Sequence, residues 1–292
     1  MHRPANVRLI AGFCLGMLST PALAQPETVN FQSADGKTQL VGYLFKPDGS
    51  GPHPAIVLLH GRAGPYSANN NADCTFVTQT ATSSCNASTL SKRHAMWGQY
   101  WADHGFVALL PDSFGPRGKA RGFGRFTHGD TDRDDVNERT VRPLDAQGAL
   151  AYLRSRSDVL RERIFLQGWS NGGSTALNAM IRQGASSGFR AALVFYPGCG
   201  TSALLEPAIS TSVRIAMFLA EDDEEVSPDF CLKLADRSRA AGTAIDVTLY
   251  PRATHDFDDP GERRQSSRGN QAAKADAMAK ALSITQATGN ER

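Results

Sequence analysis

The pentapeptide Gly168-Trp169-Ser170-Asn171-Gly172 sets a serine between two glycines. A serine hydroxyl is a weak nucleophile unless a base takes its proton and a sharp backbone turn presents it. The glycines leave room for a strand and a helix to converge on such a turn. At the start of that helix the backbone N–H of Asn171 is free to bind a developing oxyanion. The bare string is only suggestive, but its setting adds weight. The apolar run 164–166 precedes it and a helix-like stretch, 174–182, follows, which is the strand-turn-helix context the motif needs.

A nucleophilic serine requires a histidine steadied by a carboxylate, and in this context the partners arrive in the order serine, acid, histidine, each after a later strand. Asp222 and Asp223 follow the apolar run 215–219, and His255 follows the run 245–250. Position leaves both aspartates open as the acid. Of the other histidines, His53 and His104 fall at element edges and His94 and His128 in loops. His60 ends an earlier apolar run and shapes the turn His60-Gly61-Arg62-Ala63-Gly64. That turn is expected to bring the second oxyanion donor, the backbone N–H of Arg62.

These residues need a frame. Runs 55–59, 106–110, 164–166, 191–195, 215–219 and 245–250 are apolar without alternation, as strands buried on both faces of a parallel sheet are. Helix-like patterns at 96–104, 143–154, 174–182 and 228–241 lie between them, and an Ala-rich amphipathic stretch, 271–286, closes the chain. Before the first run, 28–32 and 39–45 flank the turn dipeptide Asp35-Gly36 and predict an antiparallel hairpin. The expected fold class is α/β, a mostly parallel, doubly wound sheet with an N-terminal antiparallel hairpin and its site at the carboxyl ends of the strands.

Two segments break the alternation. Residues 66–93, rich in Ser, Thr, Asn and Ala, are expected to be an insertion overhanging the site. Residues 115–139 begin Gly-rich and turn charged. Asp130, Asp132 and Asp134 imitate the start of a calcium loop, but Asp135 stands where glycine is needed and Val141 where glutamate is, so a solvated loop is the better reading and no metal is expected.

The 292 residues, 41% hydrophobic and 21% charged, suit one globular domain. Residues 1–24 read as a secretory signal: Arg3 and Arg8, an apolar run 9–18 too short to span a membrane, then Ala22-Leu23-Ala24 as a cleavage site, with the domain occupying 25–292. Phe13 before Cys14 is too bulky for a lipoprotein site. Loss of this segment, with two arginines and no acid, leaves the basic residues balanced against the 29 acidic ones. Nothing then favours a nucleic acid or a membrane as partner. The expected location is periplasmic or secreted. Four cysteines remain, an even number suited to an oxidising compartment. Of three pairings, Cys74 with Cys85 would close a short loop and Cys199 with Cys231 would join segments at neighbouring strand ends, and this is the expected set.

Several stretches together resemble the dienelactone hydrolase family of α/β hydrolases. They are Leu59-His60-Gly61-Arg62, the run from Pro111-Asp112-Ser113-Phe114 to Gly118, Gly168-Trp169-Ser170-Asn171-Gly172-Gly173, Asp223-Glu224-Glu225-Val226, and Tyr250-Pro251-Arg252-Ala253-Thr254-His255-Asp256-Phe257. The resemblance implies the α/β-hydrolase fold, a triad of Ser170, Asp223 and His255, and oxyanion donors at Arg62 and Asn171. The Asp-x-x-Val spacing is what selects Asp223. It further implies a carboxylic-ester or lactone hydrolase without cofactor, acting on a small-molecule substrate. Members that open dienelactones carry cysteine at the position of Ser170 and arginine at that of Asp259. Arg117 matches a further carboxylate-holding arginine, and Phe114, Arg117 and Trp169 are expected in the pocket walls. A peptidase or amidase using the same triad, and a non-catalytic binding protein of the same fold, are the alternatives. Oligomeric state is not legible.

Overall fold

The computed structural model describes residues 25–67, 73–81, 83–127, 129–183 and 188–290. The expected signal segment, Cys14 and His128 lie outside them. Eight strands form one sheet in the order β1-β2-β4-β3-β5-β6-β7-β8. β1 (Glu27–Gln32) and β2 (Gln39–Phe45) make the hairpin, and β2 continues antiparallel onto β4 (Val107–Asp112). The other neighbours pair parallel: β4 with β3 (His53–Leu59), then β5 (Val159–Trp169), β6 (Ala191–Phe195), β7 (Arg214–Ala220) and β8 (Ile245–Tyr250).

Helices cover both faces, which is why the strand runs do not alternate. On β3, Ala55, Val57 and Leu59 pack towards one core and Ile56 and Leu58 towards the other. The first core is closed by α2 (Arg142–Ser155), α3 (Asn171–Gln183) and α4 (Pro228–Ala240) through residues such as Leu150, Leu177 and Leu234. The second is closed by α1 (Lys92–Asp103) and α6 (Arg268–Asn290), with Trp97 and Trp101 opposite Ala273, Ala277 and Ala281. A short helix, α5 (Glu262–Gln265), leads into α6. The chain passes from β3 to β4 on one side and returns to β5 on the other. Strand order therefore reverses at the carboxyl ends of β3 and β5, where this fold class opens a crevice.

The structure corrects several boundaries. β5 begins five residues before the apolar run because its first half carries Arg161 and Glu162, which periodicity cannot distinguish from loop. α1 begins at Lys92, capped by the Ser91 hydroxyl, and so takes in His94, expected in a loop. The described part of 66–93 is less an overhang than a packed flap. Tyr66, Cys74, Val77, Cys85 and Leu90 are buried in the second core, and Tyr66 donates to Asp112 at 2.8 Å. Both expected cysteine pairs, Cys74 with Cys85 and Cys199 with Cys231, are disulfide-bonded. No helix of the described residues is long and apolar enough to cross a membrane.

Candidate active site

Ser170 joins β5 to α3 with a φ of 51°. A non-glycine residue adopts this left-handed conformation only when its surroundings enforce it. Here they do. The Ser170 N–H donates to the Phe195 carbonyl at 2.9 Å, and the Ser174 N–H to the Ser170 carbonyl at 2.9 Å. A Cβ on Gly168 would lie 2.2 Å from the Gly172 carbonyl oxygen, and one on Gly172 would lie 2.0 Å from that of Leu59. Only glycine lets the three backbones meet.

His255 Nε2 lies 3.0 Å from Ser170 Oγ, and its Nδ1 lies 2.8 Å and 3.0 Å from the two Asp223 oxygens. Asp223 is aimed by its own turn, accepting the N–H groups of Glu225 and Val226, both at 2.9 Å. This is the physical content of the Asp-x-x-Val spacing. Asp222 is exposed, and its N–H donates to the Ala253 carbonyl. Of the two aspartates, Asp223 is the one brought to His255. The imidazole packs against the Tyr196 ring at 4.7 Å, and the backbone N–H of His255 donates to the Glu224 carboxylate at 2.8 Å.

Arg62 and Asn171 border one cavity with Ser170, and among the described residues neither backbone N–H has a backbone partner. Sequence reasoning missed what braces them. Arg142 is fully buried on α2, donates to the His60 carbonyl at 2.7 Å and to the Asn171 side chain, and stacks over Phe114. Burial brings its guanidinium down to about 10, against the pull of Asp145. His60 is also buried. It accepts the Ser113 N–H, and burial holds it well below the usual imidazole range, as a neutral ring.

In the acidic run after Asp223, Glu224 is exposed but the Glu225 side chain is largely buried. Glu225 takes a two-pronged bond from Arg62, at 3.2 and 2.8 Å, and pairs with Arg125 at 2.8 Å. Its carboxylate lies 3.8 Å from His255 Nε2. On the other side of His255, Asp256 pairs with Arg93 of α1, which also donates to the Tyr196 hydroxyl. The Tyr196 hydroxyl in turn donates to the buried Asp258. Glu225, His255 and Asp256 offer ligand atoms within 4.8 Å of one another. Both carboxylates are already engaged by arginines and His255 Nε2 faces Ser170, so the cluster fits a network of ion pairs better than a metal site.

The expected pocket walls need correction. Arg117 is not turned to the site: it donates to Asp145 at 2.8 and 2.9 Å, to Asp35 at 3.0 Å and to the Ser113 carbonyl at 2.8 Å. Phe114 is buried against His60 and Phe123, and Trp169 is buried between His94, Trp97 and Phe195. None of the three borders the cavities at Ser170, which are lined instead by Arg62, Arg93, His94, Arg125, Phe126, Glu225 and Val226 among others. A match of residue types along the chain does not reveal that two aspartates lie across from Arg117.

Residues 89–288 match the sequence profile of the dienelactone hydrolase family. The chain belongs to that family. It is therefore a hydrolase of the dienelactone hydrolase type, with the fold of its relatives. A dienelactone hydrolase-like promiscuous phosphotriesterase from metagenomic libraries is 21% identical, with a TM-score of 0.65 over 90% of this chain and 97% of its own. Esterase 2 of Thermogutta terrifontis is 18% identical, with a TM-score of 0.58 over 89% of this chain and 94% of its own. The latter is also known phosphorylated by paraoxon. At these identities the likeness carries the fold and no more.

The charges around His255 make its titration testable. Burial acts to lower its pKa, but the bond to Asp223 and the charges of Asp256, Asp223 and Glu225 outweigh it and raise the imidazole above 6.5. For His255 in the general-base role proposed below, the neutral ring is the form that accepts a proton, so a raised pKa moves the acid limb of kcat/KM to higher pH. Glu224, Arg93, Arg62, Arg125 and Arg264 complete the charged surroundings. Glu225→Gln removes one negative charge and leaves Arg62 in place. A charge at about 4 Å is worth about 1 kcal/mol even in bulk water, and a pH unit corresponds to about 1.4 kcal/mol. The acid limb should therefore move down by roughly one unit in a pH–rate profile. A limb that stays put or moves up would refute this account of His255.

Proposed function

We propose that this protein is a serine hydrolase that cleaves carboxylic esters or lactones through an acyl-enzyme on Ser170. The observation that carries this reading is the unbroken chain Ser170 Oγ to His255 Nε2 and His255 Nδ1 to Asp223, at 3.0 and 2.8 Å. Ser170 Oγ attacks the carbonyl carbon as His255 Nε2 takes its proton, and Asp223 steadies the imidazolium. The oxyanion is received by the Arg62 and Asn171 N–H groups. The ester C–O bond then breaks, and the leaving oxygen takes the proton from His255. Water repeats the sequence on the acyl-serine and releases the acid.

The charge pattern points to an uncharged substrate. Arg62 and Arg125 are paired with Glu225, Arg93 with Asp256, and Arg264 with Glu224, while Arg117 is spent on Asp145 and Asp35. Each of these arginines already has a carboxylate partner before a substrate arrives, and Asp259 stands where dienelactone-cleaving relatives have arginine. A neutral ester or lactone therefore fits better than an anionic dienelactone. The two disulfides suit an oxidising compartment, so we place the domain from residue 25 onward in the periplasm or outside the cell, behind a cleaved signal of residues 1–24.

A fluorophosphonate probe tests the nucleophile. Wild-type protein should label with one probe per chain and Ser170→Ala should not; paraoxon, which phosphorylates the Thermogutta esterase, should block the labelling. Equal labelling of both proteins would rule out Ser170. Turnover of p-nitrophenyl esters and not of aminoacyl anilides separates an esterase from a peptidase or amidase.

A further inference from the structure

The space around the Ser170 hydroxyl divides into two cavities of different chemistry. One, about 50 Å³, lies on the His255 side and is bounded by Gly61, Arg93, His94 and Asp256. The other, about 60 Å³, runs past Ser174 and Gly198 to Val226 and Phe126. Arg62 and Glu225 border both. Chemistry assigns them. The leaving oxygen collects its proton from His255 Nε2, so the alcohol departs on the polar side and the acyl group is left with the second cavity.

Phe126 is unusual in two respects. The residue is 80% exposed, and its φ is 61°, in the left-handed region that disfavours a residue with a Cβ. Apart from glycine only five described residues have positive φ, and three of the others, Ser170, Tyr196 and Asp256, are the nucleophile candidate and two neighbours of His255. Strained backbone that gathers at one place points to function there.

The segment that carries Phe126 is clamped down. The Phe123 N–H donates to the Arg62 carbonyl at 2.8 Å, and the Arg62 guanidinium donates back to the Phe123 carbonyl at 3.1 Å. The Phe123 ring packs edge-on to Phe114 at 5.3 Å, and Arg125 is held by Glu225. The strap is thus tied to the oxyanion turn and to the acid turn at once, and Phe126 is the next residue along it.

Building on the reading of Ser170 as nucleophile, we propose that Phe126, with Val226, is the wall that binds the acyl chain, so that the enzyme prefers esters of apolar acids long enough to cover the Phe126 ring. A short acyl group occupies the cavity beside Ser174 and Gly198. A longer one leaves it across Phe126 and desolvates a ring that is otherwise exposed.

The test compares p-nitrophenyl acetate, butyrate and hexanoate on wild-type, Phe126→Ala and Phe126→Leu proteins, with active sites counted by fluorophosphonate. In Phe126→Ala the hexanoate-to-acetate ratio of kcat/KM should fall about tenfold, the order expected for losing an apolar contact, and the loss should appear in KM. Phe126→Leu should retain most of the preference. A ratio unchanged in Phe126→Ala, or a uniform loss on all three esters, overturns the acyl-wall assignment while leaving Ser170 untouched. Failure of the wild-type protein to label removes the nucleophile reading instead, and this proposal with it.

Discussion

Ser170→Ala is expected to lower kcat on a p-nitrophenyl ester by about 10⁶-fold, the scale on which removal of a triad serine acts. In the proposed mechanism the Ser170 oxygen is the atom that forms the new bond. A water in the vacated space would be oriented by His255 but not fixed by a covalent bond. Residual turnover of about 10³-fold over the uncatalysed reaction should survive through the oxyanion donors. Folding should not suffer, because alanine tolerates the 51° φ no worse than serine and the Ser170 N–H and carbonyl bonds belong to the backbone. Active-site kinetics alongside a thermal melt check both halves. A variant that keeps more than a few per cent of wild-type kcat would mean that the reaction uses another nucleophile.

The second large effect is expected from Asp223→Asn, which should lower kcat about 10⁴-fold at neutral pH with little change in KM. Asp223 Oδ1 accepts the Glu225 and Val226 N–H groups, and an asparagine oxygen can go on accepting them. That orientation turns the new amide NH₂ towards His255 Nδ1. The imidazole must then accept at Nδ1 and carry its proton on Nε2, where it can no longer take one from Ser170 Oγ at 3.0 Å. Geometry would be preserved and the tautomer reversed. Asp222→Asn, on an exposed side chain, is the matched control and should change kcat less than twofold. Comparable losses in the two variants would mean that the acidic run acts through its overall charge, and the assignment of Asp223 would be lost.

Ser170 and Glu225 differ in how they could be read. The turn at Ser170 was legible from its own neighbourhood, because a strand-turn-helix is a local object: an apolar strand before it, glycines beside it, a helix after it. Glu225 was not, since nothing local distinguishes it from Glu224. Its partner Arg62 lies 163 positions away, and only the folded chain sets the two side by side. Arg142 was hidden for the same reason. It reads as an ordinary helix-start arginine, yet it donates to His60, 82 positions earlier, from a fully buried position. Arg117 shows the reverse error: residue type and position along the chain matched a substrate-holding arginine, and two aspartates contributed by other segments had already claimed it.

By itself the amino-acid sequence determined the α/β class, the parallel sheet and its opening hairpin, the strand-turn-helix around Ser170, and the arrival of an acid and a histidine after later strands. All of these follow from periodicity, glycine sterics and order along the chain, which are properties of short segments. Only the tertiary structure brought Asp223 rather than Asp222 to His255, paired Glu225 and Asp256 near it with arginines, withdrew Phe114, Arg117 and Trp169 from the cavity walls and brought Phe126 to them. Those outcomes depend on which distant side chains meet, and on which charges find partners before a substrate does. Hydrogen bonding and ion pairing fix such matters at distances of about 3 Å, a scale that sequence spacing does not resolve.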